Sequence, residues 1–256
     1  MARRELPVID GKVVAFSSNS KLGGMASTYR PIGAPSHGGT CPPGCQFLPA
    51  SRGGRMSPAG PDAVMCYGLN GWARKHQASS ASETGSLYTI GRGHDVRLHV
   101  TGDFLSASTG RWDREYSGAV AEWATRQLGT VYVYTHCIGD IRDNPEMHRA
   151  GVKVWVSCDN VHEAMQERLH QRATDDPYAC GVTLAEPLAA LKVSKVLLES
   201  QGLTTRYCPW DLSRALTGRN PAGVISCKEC RLCLDSDNMP DVVLFPIHGT
   251  GAEGGL

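Results

Sequence analysis

The sequence lacks any imbalance of charge: 26 Lys and Arg stand against 25 Asp and Glu, a formal +1 at pH 7. That excludes a global attraction to nucleic acid or to an anionic membrane and leaves only a local basic patch open. Aromatic residues are sparse, 7% of the chain with 4 Phe, which argues against a surface dedicated to stacking on bases. No apolar run approaches the roughly 18 residues of a membrane helix. The opening "MARRELPVIDGK" has no apolar centre of the kind a secretory signal needs. A cytoplasmic protein without membrane contact is the expectation. No internal repeat and no linker-like stretch divides the 256 residues, so one domain is expected.

What the chain has instead is 10 Cys, 29 Gly and 15 Pro. In a reducing compartment so many cysteines point to metal rather than to disulfides. Many of the Gly and Pro fall within residues 17 to 66, where no period of 2 or 3.6 residues holds, so this stretch reads as a long functional loop. Within it "TCPPGC" separates Cys41 from Cys45 by three residues, and Cys66 follows after 20 more. Three thiolates leave a metal centre with an open position; completed by His37 they would make a zinc knuckle. Near the other end "CKECRLC" holds Cys227, Cys230 and Cys233, two overlapping C-x2-C pairs, with Cys208 upstream across 18 intervening residues. That spacing suits a second iron–sulfur cluster or a structural zinc, and some of these thiols can also join the first site. Cys137, Cys158 and Cys180 read as small buried side chains.

From residue 96 onward, short apolar runs alternate with helical patterns: "VRLHVTGDF", "DREYSGAVAEWATRQLG", "VYVYTHC", "VKVWVSC", "NVHEAMQERLHQRA", "YACGVTL", "AEPLAALKVSKVLLESQG" and "TRYCPW". Such alternation predicts βαβ units and a parallel sheet, open or closed into a barrel. Tyr116, Val120, Trp123, Ala124 and Leu128 are expected on one buried helical face, and Val161, Met165 and Leu169 on another. In parallel α/β folds ligands bind at the carboxyl ends of the strands. The predicted strand ends carry Thr101, Gly102 and Asp103; Thr135, His136 and Cys137; Ser157, Cys158 and Asp159; Thr183; and Cys208 with Pro209. His136 suits acid–base work at that rim, Asp159 and Asn160 suit a helix cap, and Lys21 reads as solvated.

The segments "SSNSKLG", "TYRP", "TCPPGCQFLP", "MCYGLNG", "LHVTGDF", "VWVSCDN" and "CKECRLC...VVLFPIHG" together resemble a group of bacteriophage cysteine-rich proteins akin to the phage gene-product-88-like family. More distantly they are similar to radical SAM enzymes. The resemblance implies a partial (β/α)6 barrel and a [4Fe–4S] cluster held by Cys41, Cys45 and Cys66, with S-adenosylmethionine on the remaining iron. It places Thr101, Gly102 and Asp103 where such enzymes contact the methionine amino group, although Asp103 is one methylene shorter than the expected Glu and the cysteine spacing is wider. Ser157 and Asp159 are further candidates for the cofactor, and Asp103 and His136 for chemistry. The implied substrate is a small molecule, nucleotide or DNA, with an electron donor as partner, in the host cytoplasm. A second reading, of another class, is a non-catalytic module whose zinc or cluster is structural and whose rim binds a partner. Residues 1–95 would form the cluster-binding region, 96–210 the βα repeats, and 211–256 the Cys-rich segment with the last strand.

Overall fold

The computed structural model describes residues 8–16, 20–42, 51–52, 55–56, 84–218, 223–235 and 239–247. Its strands in chain order are β1 (Val8–Asp10), β2 (Lys12–Val14), β3 (Ala26–Tyr29), β4 (Ser51–Arg52), β5 (Arg55–Met56), β6 (Thr84–Ser86) and β7 (Val96–Leu98). There follow β8 (Val131–Thr135), β9 (Lys153–Cys158), β10 (Gly181–Glu186), β11 (Thr205–Tyr207) and β12 (Val242–Pro246). The helices are α1 (Arg114–Ala124), α2 (Ile138–Asp143), α3 (Glu146–Arg149), α4 (Val161–Thr174), α5 (Leu188–Ser200), α6 (Pro209–Thr217) and α7 (Cys227–Cys230).

Eight strands form the main sheet, in the order β11-β12-β10-β9-β8-β7-β3-β2. Only the edge strand β2 runs antiparallel; the other seven are parallel. Strands buried on both faces read as unbroken apolar runs, and "VYVYT", "KVWVSC" and "VVLFP" do so because both faces of this sheet are covered. Side chains alternate between the faces. Leu98, Val133, Val154, Val182 and Leu244 point to one side and form two adjoining apolar clusters with α1, α4 and α5. Tyr29, Tyr132, Trp155 and Val243 point to the other.

The helices that cover the first face begin where local chemistry predicts. The Asp113 carboxylate caps α1 by accepting from the Tyr116 amide at 3.0 Å, and Asn160 caps α4 by accepting from the Glu163 amide at 2.9 Å. Two inward calls fail, one beyond a helix end and one within a helix. Leu128 lies beyond the last turn of α1 and is 80% exposed, while on α4 the buried positions are Ala164 and Gln171 and Leu169 is exposed. A fixed helical period carried Leu128 inward, but α1 stops at Ala124.

The second face is covered by the turn before β3, with Leu22 and Met25, and by the connection from β11 to β12, whose course follows from handedness. From β7 through β10 each strand lies one place further along the sheet, so right-handed crossovers put their helices on one side. β11 then lies two places beyond β10, and β12 returns into the gap. That backward step sends its connection, described at residues 208–218, 223–235 and 239–241, across the opposite face. The Cys-rich segment therefore lies over Tyr132, Tyr134 and Trp155. β12 itself is hydrogen-bonded to β10 and β11, in the sheet's interior.

Candidate functional site

The returning connection carries four thiols into one place. Cys208 ends β11 and precedes α6, whose first residue is Pro209. Ser226 then opens α7 with a capping box in which the Glu229 carboxylate accepts from the Ser226 amide at 2.8 Å and from its hydroxyl at 2.9 Å. One helical turn separates Cys227 from Cys230; Arg231 then takes a left-handed conformation, φ 53°, and turns the chain so that Cys233 follows on the sheet side. The Trp155 indole donates to the Cys233 carbonyl at 3.1 Å, and Arg231 pairs with Asp95 at 2.7 Å, so the turn is anchored at both ends. Cys208, Cys227, Cys230 and Cys233 line one cleft that is partly open to solvent. None of the four is in a disulfide.

Lys21, Tyr132, Tyr134 and Phe245 complete the wall. Lys21, read from sequence as solvated, is only 8% exposed: its ammonium pairs with the Asp211 carboxylate and lies 5.0 Å from the Phe245 ring centroid. The Lys21 carbonyl accepts from the Cys227 amide at 2.7 Å. Gly23, at φ +62°, makes this approach possible, since a Cβ there would sit 2.2 Å from the Ser226 hydroxyl oxygen. Burial pushes the thiols of Cys208, Cys227 and Cys233 up, Cys233 to about 12, while the Lys21 charge acts in the opposite direction on all three. Burial likewise raises Tyr132 and Tyr134, with the neighbouring thiols adding to it.

The spacing of these thiols bears on what they fit. Four sulfurs held about 2.3 Å from one zinc ion stand only about 3.8 Å apart. Among the described residues no group of three or more Cys, His, Asp or Glu side chains is drawn together in a way that could hold a metal ion. A [4Fe–4S] cluster places each thiolate on a separate iron, farther apart, around a core that needs room. Four thiols from two stretches of chain, lining one cleft, are the donor set of such a cluster.

The rim at the strand ends is a second constellation. Asp103 is buried, and its carboxylate accepts from the Phe104 amide at 2.8 Å, the Thr135 hydroxyl at 2.6 Å and the His136 amide at 3.0 Å. Three of its roughly four acceptor positions are thus engaged by protein, which ties the end of β7 to the end of β8. His136 Nε2 lies 3.2 Å from Asp159 Oδ1. Burial alone would push the imidazole down, but the Asp159 hydrogen bond and the charges of Asp103, Asp159 and Glu163 outweigh it and hold His136 above the usual histidine value. Ser157 contacts the Thr183 hydroxyl at 3.3 Å; Thr183 lies within β10 and does not end it. Thr101 donates to the Arg30 carbonyl at 2.9 Å, and Gly102, φ +77°, packs where a Cβ would meet Thr40 Oγ1 at 2.5 Å.

Thr40 joins that turn to the first cysteine. Its hydroxyl oxygen accepts from the Asp103 amide at 3.1 Å, and the next residue, Cys41, is buried. The structure therefore brings Cys41 and the Thr101–Asp103 turn together; Cys45 and Cys66 lie outside the described residues. Arg30 went unnoticed in the sequence. Buried after β3, it donates to the Asp103 and Leu105 carbonyls at 2.9 and 3.1 Å, pairs with Asp113 at 3.0 Å and stacks 3.8 Å over Tyr116. A lone Arg in "TYRP" gives no local sign that it will be enclosed.

Fold and site together define a parallel α/β protein with a thiol-lined cleft on one sheet face and a histidine–carboxylate rim. No protein-family model, curated protein or solved structure matches the chain. Among the described residues no helix is long and apolar enough to cross a membrane.

Proposed function

We propose that this is an iron–sulfur protein, with a cluster held by Cys208, Cys227, Cys230 and Cys233. The observation that carries the reading is their shared cleft: four thiols from two separated stretches of chain line it together with a buried lysine. Soft thiolates favour iron–sulfur clusters, zinc or Cu(I), and the C-x2-C-x2-C run matches part of the bacterial ferredoxin pattern.

The finer reading is a radical-SAM-like enzyme on a partial (β/α)6 barrel, with a second cluster on Cys41, Cys45 and Cys66. Three features support it. The parallel strands from β3 to β10 follow one another across the sheet. The loop bearing Cys41 leaves the end of the first of them. Thr40 then ties that loop to the turn after the second. A cluster with bound S-adenosylmethionine supplies a 5′-deoxyadenosyl radical, and His136 with Asp159 would hold or move a proton at the same rim. A nucleotide or DNA substrate follows from the phage resemblance.

Anaerobic purification followed by iron, sulfide and zinc analysis and a visible spectrum tests the first claim. Brown protein with iron and sulfide that Cys230→Ser loses supports it; colourless protein with stoichiometric zinc overturns it. Reductive formation of 5′-deoxyadenosine from S-adenosylmethionine by the iron-loaded protein, abolished by Cys41→Ala, tests the second.

A further inference from the structure

We propose that the buried Lys21–Asp211 ion pair sets the reduction potential of the thiolate-held centre, with Lys21 favouring the reduced form and Asp211 opposing it. The inference rests on the cluster reading above. A buried ammonium is costly unless it is paired, and Lys21 is paired; what needs explaining is its position. Asp211 lies one turn into α6, three residues after Cys208, and Lys21 contacts Cys227 through its own carbonyl. The pair thus stands between the two stretches that supply the thiols, with its ammonium over Phe245 in the wall of the same cleft. A second cation, Arg97, lies 5.0 Å over the Tyr134 ring on the same sheet face. A lysine used only for stability has no need to line a cleft of sulfurs, as Lys21 does.

The electrostatics give signs. A [4Fe–4S]2+ core on four thiolates carries a net charge of −2; one electron, delivered by dithionite, makes the core 1+ and the whole −3. A nearby fixed cation stabilises the added negative charge and raises the potential, and a nearby carboxylate lowers it. Low dielectric and burial make both effects larger than at a surface. Lys21 and Asp211 act in opposite directions, so removing each should move the potential oppositely. Damage to packing has no reason to reverse sign between two partners.

The experiment is an electron-paramagnetic-resonance redox titration of the anaerobically reconstituted full chain at about pH 8, where an ordinary carboxyl, near 3.9, is ionised. Lys21→Met should reduce the reduced-to-oxidised ratio at fixed potential at least tenfold, about 59 mV for one electron. Asp211→Asn should raise the ratio, and Lys21→Arg should match the parent. Should the parent carry a cluster while Lys21→Met and Asp211→Asn both keep its potential, or both shift it the same way, the inference fails and the cluster reading stands. A parent without iron overturns both. If Lys21→Met does not fold, the upward shift in Asp211→Asn decides alone.

Discussion

Asp241 shows how much one side chain can hold. Its carboxylate accepts from Arg168 Nε at 2.8 Å, from Arg172 at 2.6 and 3.1 Å, and from the Thr204 amide and hydroxyl, both at 2.7 Å, fastening the start of β12 to α4 and to the start of β11. Nothing local in the sequence marks Arg168 and Arg172 for this role, because their partner lies some seventy residues away. Asp241→Ala leaves the half-buried Arg168 and the Thr204 amide without their acceptor and should cost about 3 kcal/mol in denaturant unfolding. Burial pushes the Asp241 carboxyl up, yet its donors outweigh burial and hold it below the usual value. Its contribution is thus complete above the unfolded value of about 3.9 and is lost as pH falls through the folded one, so parent and variant should converge in acid. His136 has the opposite sign. Held above its ordinary value of about 6.5, it contributes stability that is full below that pH and fades as pH rises through the folded value. In a proton-resonance titration its midpoint should lie above 6.5 and fall in Asp159→Asn; a parent midpoint at or below 6.5 would remove the proposed pairing.

At the scale of elements, the contact between the Lys21 turn and α7 depends on one glycine. Gly23→Ala places a methyl against Ser226 in a left-handed backbone, a strain of about 1–2 kcal/mol before the clash is relieved. Since that contact positions Lys21 beside Cys227, iron retention against a chelator should fall severalfold while far-ultraviolet circular dichroism stays that of the parent; unchanged retention would show that the turn does not position the thiols. Helices and strands were legible because their signals are local. Alternation from residue 96 gave β8, β9, β10 and the helices between them, and the Asp113 and Asn160 caps are marked in sequence. The place of β12 was not legible. Nothing inside "VVLFP" says that it inserts between β10 and β11, because insertion is decided by pairing partners distant in sequence. Last in chain order among the described strands, it is fastened to the body by ladders on both sides.

For the whole molecule, that inserted strand divides the structure energetically into two faces. The helix side has its own apolar clusters, which include Cys158 but none of the four cleft cysteines. The opposite side is covered by a connection rich in Cys and polar residues, held by single bonds such as the Trp155 indole to the Cys233 carbonyl and Lys153 to the Leu234 carbonyl. C-x2-C spacing made Cys227, Cys230 and Cys233 readable as one site, and Cys208 joined them by arithmetic; Lys21 and Asp211 could not be read, since the bond between them spans 190 residues. Metal bound only by the folded segment adds to the stability of that segment. Removing it through Cys227→Ala with Cys230→Ala should therefore loosen one face and spare the other. Hydrogen exchange followed by mass spectrometry should show faster exchange in residues 223–235, while β8, β9 and β10 keep their protection because their ladders are paired on both sides. Trp155 emission should shift to the red as its cover opens. Uniform loss of protection across both faces would show instead that the cysteine segment is part of one indivisible core, and that the two faces fold as a single cooperative unit.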